Sequence, residues 1–132
     1  MIVLDTHVLF WWLSETKGEL TRKAREAIAA EETDGEILVS SMTAWEIAQL
    51  LAARRLTLSV GIADWLAAAA DIDAVRFVPL DNTIAVASIN LPGTLHRDPA
   101  DRIIAATARH FQAPLVTKDA RLRAYPHVVT IW

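Results

Sequence analysis

Three runs of apolar, β-prone residues, Ile2-Val3-Leu4, Ile37-Leu38-Val39 and Leu115-Val116-Thr117, constrain this chain more than any other feature. None alternates with polar residues, which is the pattern of strands buried on both faces, as in a parallel sheet covered by helices. Weaker runs follow at Val75–Val78 and Val128–Ile131. Helical periodicity fills the intervals. Leu20, Ala24, Ala27 and Ile28 recur on one face of a second helix, and the segment Ala100–Phe111 groups Ile103, Ile104, Thr107, Ala108 and Phe111. Further helices are predicted over Met42–Arg55, Gly61–Ala70 and Thr83–Asn90. This alternation predicts an α/β fold, a three-layer α/β/α sandwich around a mostly parallel sheet with crossover connections. The turn-formers and basic tail of Leu91–Arg97 predict an exposed loop.

A chain of 132 residues is expected to build one core, so residues 1–132 are read as a single domain. Its apolar runs are broken too often to span a bilayer. The opening MIVLDTHVLF has no basic leader and carries an acid within its apolar stretch, so a cytoplasmic protein is expected. With no cysteine, disulfides and thiolate metal sites are excluded, leaving carboxylate and imidazole as the strong metal ligands. A net charge of −3 weighs against a protein that coats nucleic acid, yet 13 cationic residues remain. Acids sequestered at one place and cancelled by a metal would leave the rest of the surface basic.

The acids are informative by position. Asp5 ends the first predicted strand, Glu46 lies early in the helix after the second, Asp98 and Asp101 open the helix at Ala100–Phe111, and Asp119 follows Leu115–Thr117. In an open parallel sheet the strand carboxyl ends share one edge, and the crevice there is where such folds hold ligands. Carboxylates gathered a few ångströms apart raise one another's pKa unless a cation intervenes. Oxygen-only ligands favour Mg²⁺ or Mn²⁺.

Each acid also has a structural reading. Asp5 can simply cap a helix beginning at Thr6, and Asp119 can cap the turn Ala120–Arg123. Asp98-Pro99-Ala100-Asp101 has the acceptor, proline and acid of a helix start. Glu46 can lie on a solvated stripe with Thr43 and Gln49. Asp101 is harder to dismiss, because Ile104 and Ala105 share its side of the helix.

Together these acids stand in the segments LDTHVLFWWL, SSMTAWEIAQL, HRDPADRIIAATA and LVTKDARL. In order and separation these segments resemble the PIN-domain fold over nearly the whole chain, and closely the VapC toxin family within it. The resemblance implies that Asp5, Glu46, Asp101 and Asp119 form the family's acidic quartet, with Asp98 an additional acid and Thr6 and Thr117 the hydroxyls beside it. It also implies an endoribonuclease requiring Mg²⁺ or Mn²⁺, acting on transfer or ribosomal RNA, working as a homodimer, and held by a separately encoded VapB antitoxin. The apolar run Val8–Leu13 offers a surface for such partners, although a core helix would look the same.

In the expected mechanism Asp5, Asp101 and Asp119 bind metal while Glu46 ligates or positions the attacking water. Arg97, Arg102 and Lys118 flank the acids and are candidate phosphate contacts. Three alternatives stand beside it. His7 and His96 would serve a metal-independent acid/base ribonuclease, although no spacing pairs them. A phosphatase of the haloacid dehalogenase type would need an Asp where His7 stands, and a receiver would need one where Ser40 and Ser41 follow Val39. A non-catalytic binding module with this fold would have no need of the full acid set.

Overall fold

In the computed structural model, residues 1–14 and 17–132 are described. Five strands form one sheet, β1 (Ile2–Leu4), β2 (Ile37–Ser40), β3 (Val75–Val78), β4 (Leu115–Val116) and β5 (Thr130–Ile131), in the order β3-β2-β1-β4-β5. Every pairing is parallel, so the sheet is parallel throughout rather than mostly so. The helices of the described residues are α1 (Thr6–Leu13), α2 (Arg22–Asp34), α3 (Ser41–Ala52), α4 (Ile62–Ala70), α5 (Asn82–Ile89), α6 (Pro99–His110) and α7 (Ala120–Ala124).

The period-2 geometry of strands divides the apolar runs between two cores. Val3 pairs with Leu38 on one side and Leu115 on the other, and this row packs against Ile84 of α5, Ile104 of α6 and Leu122 of α7. Ile2, Leu4, Ile37, Val39 and Val116 point to the opposite face, against Val8, Leu9 and Trp12 of α1 and Ala24 and Ile28 of α2. This is the predicted sandwich. Because β1 feeds α1 on one face while β4 feeds α7 on the other, the chain diverges between β1 and β4. In open α/β sheets a crevice opens at such a switch point.

Local chemistry adjusts several predicted boundaries. Thr21, whose hydroxyl accepts from the Ala24 amide at 3.1 Å, caps α2, so buried Leu20 precedes the helix instead of belonging to it. The α3 helix stops at Ala52 rather than Arg55, with Arg54 in the left-handed region (φ 56°). Residues 91–97 are not wholly exposed, since Leu95 is buried and His96 half-buried. The cause is Arg102, whose guanidinium donates to the Ser88, Ile89 and Leu95 carbonyls at 2.9, 3.2 and 2.8 Å and ties the loop to α5 and α6. The α1 helix is covered on one side by Val8, Leu9 and Trp12, while His7 is exposed and Phe10, Trp11 and Leu13 are half-buried. No helix of the described residues is long and apolar enough to cross a membrane.

Candidate metal centre

The sheet register brings the first and last acids together. Asp5 leaves β1 directly beside β4, and its amide donates to the Val116 carbonyl at 3.0 Å. Its Oδ1 accepts from the Thr6 amide at 2.8 Å, which caps α1, and its Oδ2 accepts from the Thr117 hydroxyl at 2.6 Å. The same Thr117 oxygen accepts from the Asp119 amide at 3.0 Å, fixing the start of α7. Capping and lining the crevice are therefore not alternatives for Asp5, because one carboxylate does both.

Glu46 reaches the crevice from α3. Its Oε1 accepts from the Thr6 hydroxyl at 2.5 Å, and Thr43 Oγ1 lies 3.2 Å from the same Thr6 oxygen. The single Thr6 proton is committed to the carboxylate, so Thr43 is the donor to Thr6. Thr43 is fully buried, which overturns the solvated-stripe reading of Glu46. From α6, Asp101 Oδ2 shares a hydrogen bond with His96 Nε2 at 2.5 Å, while Asp98 Oδ1 accepts from the Asp101 amide at 2.9 Å. Asp119 caps α7 through the Arg121 and Leu122 amides at 2.8 and 3.1 Å.

Asp5, Glu46, Asp98, Asp101 and Asp119 line one open cavity of about 600 Å³, together with His7, Trp11, Gln49, Arg55, Lys118 and Arg121. Burial sets the electrostatics. It raises the Asp5 carboxyl above the usual range, against the opposing Thr117 and Thr6 bonds and with Asp101 adding repulsion. Burial also pushes Glu46 up to about 7, the Thr6 bond offsetting part of this while Asp5, Asp101 and Asp98 reinforce it. Asp101 is raised by burial and by Asp98 and Asp119, with His96 opposing. For Asp119 burial raises, but the Leu122 and Arg121 amides and the Arg121 guanidinium outweigh it, and its pKa falls below the ordinary value.

No three of the described His, Asp and Glu side chains already stand close enough together to form a ready-made ligand set. What fits a divalent ion is the donor chemistry: hard oxygens on several sides of one cavity, three with charged forms made costly by burial and mutual repulsion. A cationic group already partly answers that charge. Arg121 Nη2 lies 3.3 Å from Asp119 Oδ2 and 3.6 Å from Asp101 Oδ2.

Residues 2–128 match the model of the PIN domain. The chain belongs to the PIN domain family. Ribonuclease VapC22 of Mycobacterium tuberculosis (strain ATCC 25618 / H37Rv) is 38% identical over 133 residues, spanning 99% of this chain and 98% of that protein, which places this PIN domain among the VapC proteins. Solved structures with the same fold include VapBC2 from Rickettsia felis bound to a promoter DNA fragment (TM-score 0.67, 15% identity, 98% of this chain and 97% of that one). A toxin–antitoxin complex from Klebsiella pneumoniae is similar to the same degree (TM-score 0.65, 21% identity, 98% and 97%).

Within this PIN domain the cation expectations fare unevenly. Lys118 lines the cavity, with its ammonium 5.4 Å from the Trp11 ring centroid. Arg97 is exposed and is not among the lining residues, and Arg102 is turned into the α5–α6 carbonyls, away from the acids. Arg121 and Arg55 line the cavity instead, and sequence reasoning missed both. Arg121 was findable, two residues beyond Asp119; Arg55 was not, because only the turn after α3 aims it inward. Among the described residues no hydrogen bond joins His7 to His96. His96 is bonded to Asp101, and its Nδ1 is buried without a partner among the described residues.

Proposed function

We propose that this chain is a divalent-metal-dependent endoribonuclease and the toxin half of a VapBC-type toxin–antitoxin pair. The observation that carries this reading is the convergence of Asp5, Glu46, Asp101 and Asp119 on one cavity at the carboxyl edge of a parallel sheet. Asp5, Asp101 and Asp119 are the residues that hold Mg²⁺ or Mn²⁺, with Asp98 a further oxygen donor at the rim. Bound there, the ion supplies an acidified water and charge neutralisation at the scissile phosphate. Glu46 holds the ion or orients that water. Thr117 and Thr6 fix the Asp5 and Glu46 carboxylates, and Thr43 fixes Thr6. Lys118, Arg55 and Arg121 are the cations placed to meet phosphates.

RNA as substrate, transfer or ribosomal, follows the VapC relative, whose name is that of a ribonuclease. A VapB-type antitoxin as partner follows the solved complexes of the same fold. Exposed Trp45 on α3 and Val86 and Ile89 on α5 supply apolar surface for that partner or for a second copy in a homodimer. We read residues 1–132 as one nuclease domain working in the cytoplasm, where such RNA is found.

The test is incubation of the purified protein with total transfer RNA, with Mn²⁺ or with EDTA, beside Asp101→Ala. Cleavage that needs the metal and is lost in the variant is expected. Cleavage that survives EDTA and leaves cyclic-phosphate ends would hand the chemistry to histidine, and no cleavage of any RNA under any condition would leave a binding module.

A further inference from the structure

A second cavity of about 400 Å³ is lined by Lys23, Ala120, Arg123, Ala124, Thr130 and Trp132. Its place follows from topology. The β5 strand runs parallel to β4, so Trp132, which follows β5, stands at the same sheet edge as Asp5 and Asp119. Between the two cavities lies α7, which sends Arg121 to the acids, Leu122 into the core and Arg123 to the second cavity.

The cavities are joined by an aromatic pair. Trp11 lines the first and Trp132 the second, with ring centroids 6.1 Å apart, and Lys118 sits over the Trp11 ring. The second cavity is lined by two cationic side chains and no acidic side chain, and both Lys23 and Arg123 lack a side-chain partner among the described residues. In a chain of net charge −3 that already holds five acids on one cavity, a pocket next to it whose only charged side chains are cationic is complementary to an anion. Cations that track a backbone beside aromatic faces that stack bases are how proteins hold single-stranded nucleic acid.

We infer that the Lys23–Arg123–Trp132 cavity is a subsite for the single-stranded RNA flanking the scissile phosphate. Lys23 and Arg123 each take a backbone phosphate, and the Trp132 ring, continued by Trp11, offers a stacking face to a base. This rests on the ribonuclease reading and adds to it a strand path leading away from the acids.

The experiment measures binding of labelled single-stranded RNAs of about four and about twelve nucleotides, the range of single-strand site sizes, to an Asp5→Asn parent by fluorescence anisotropy at several salt concentrations. In that background, Lys23→Ala with Arg123→Ala should weaken the longer RNA about tenfold and reduce its salt slope by about 1.4, the value for two lost phosphate contacts. The shorter RNA should also weaken, since the two cavities adjoin through Trp11 and Trp132 and a strand of about four nucleotides spans them. Trp132→Leu, checked for an unchanged melting temperature, should weaken the longer RNA about tenfold without altering the salt slope. Unchanged binding of the longer RNA in both variants would overturn the subsite while leaving the ribonuclease reading in place. A parent that binds neither RNA would overturn both. Unchanged RNA binding with loss of a polyglutamate peptide would assign the cavity to an acidic protein partner and overturn it as well.

Discussion

The Thr117 hydroxyl donates to Asp5 Oδ2 at 2.6 Å across the β1–β4 junction, joining residues 112 positions apart. Both side chains are buried, so the bond does two things: it satisfies a buried carboxylate and opposes the rise in its pKa that burial causes, and it ties the start of α7 to the end of β1. Replacing Thr117 with Val preserves the shape and removes the donor. The variant should lose about 1–3 kcal/mol of stability at neutral pH, the cost of an unsatisfied buried acceptor, and should bind Mn²⁺ more weakly because the Asp5 pKa rises further. Thermal melting and a Mn²⁺ titration read the two effects separately.

Asp5→Asn keeps an acceptor for the Thr6 amide while discarding a charge that burial makes costly. Its metal-free melting temperature should equal or exceed that of the parent, and its Mn²⁺-dependent cleavage of RNA should be abolished. Full cleavage in this variant would remove Asp5 from the mechanism.

Glu46 sets a pH dependence with a definite sign. Its pKa is raised from 4.5 to about 7, so between those values the folded state holds a proton that the unfolded state has released. The metal-free protein should therefore lose stability from this group as pH rises through that window, with the loss complete above about 7. Glu46→Gln should remove that slope and raise the melting temperature in EDTA at pH 8 by about 3–5 °C, on the order of 1 kcal/mol after allowance for solvent screening. At pH 4 the two proteins should melt alike. Mn²⁺ should raise the parent's melting temperature more at pH 8 than at pH 6.

Arg121 holds Asp101 and Asp119 with its guanidinium where the proposed ion would act. Arg121→Ala should tighten Mn²⁺ binding about two- to tenfold, the scale of two exposed ion pairs removed from competition. The same variant should cleave RNA less well at saturating metal, because a phosphate-facing cation is gone. Unchanged Mn²⁺ affinity would show that the ion and the guanidinium do not compete.

Much of this protein was legible in the order of its residues, because the physics involved is local or periodic. Unbroken Ile-Val-Leu runs read as strands covered on both faces, and their alternation with helical periodicity specified the sandwich around a mostly parallel sheet. Asp5, Asp98 and Asp119 announced helix starts by their positions. Sequence position also named the acids that line the cavity, since parallel strands leave all their carboxyl ends on one edge.

Other features depended on contacts between residues far apart in the chain. Glu46 had a solvated reading beside its place in the acidic quartet, and only the Thr6 hydroxyl, 40 residues away, donating to it beside fully buried Thr43 removed it. Arg102 looked like a phosphate contact until the α5–α6 carbonyls claimed it, and Arg121 took its place among the acids. A side chain's direction, its burial and hence its pKa are set by whatever the fold packs against it. Sequence therefore determined which groups reach the carboxyl edge, and tertiary structure alone decided which of them are charged, which are held, and which face the cavity.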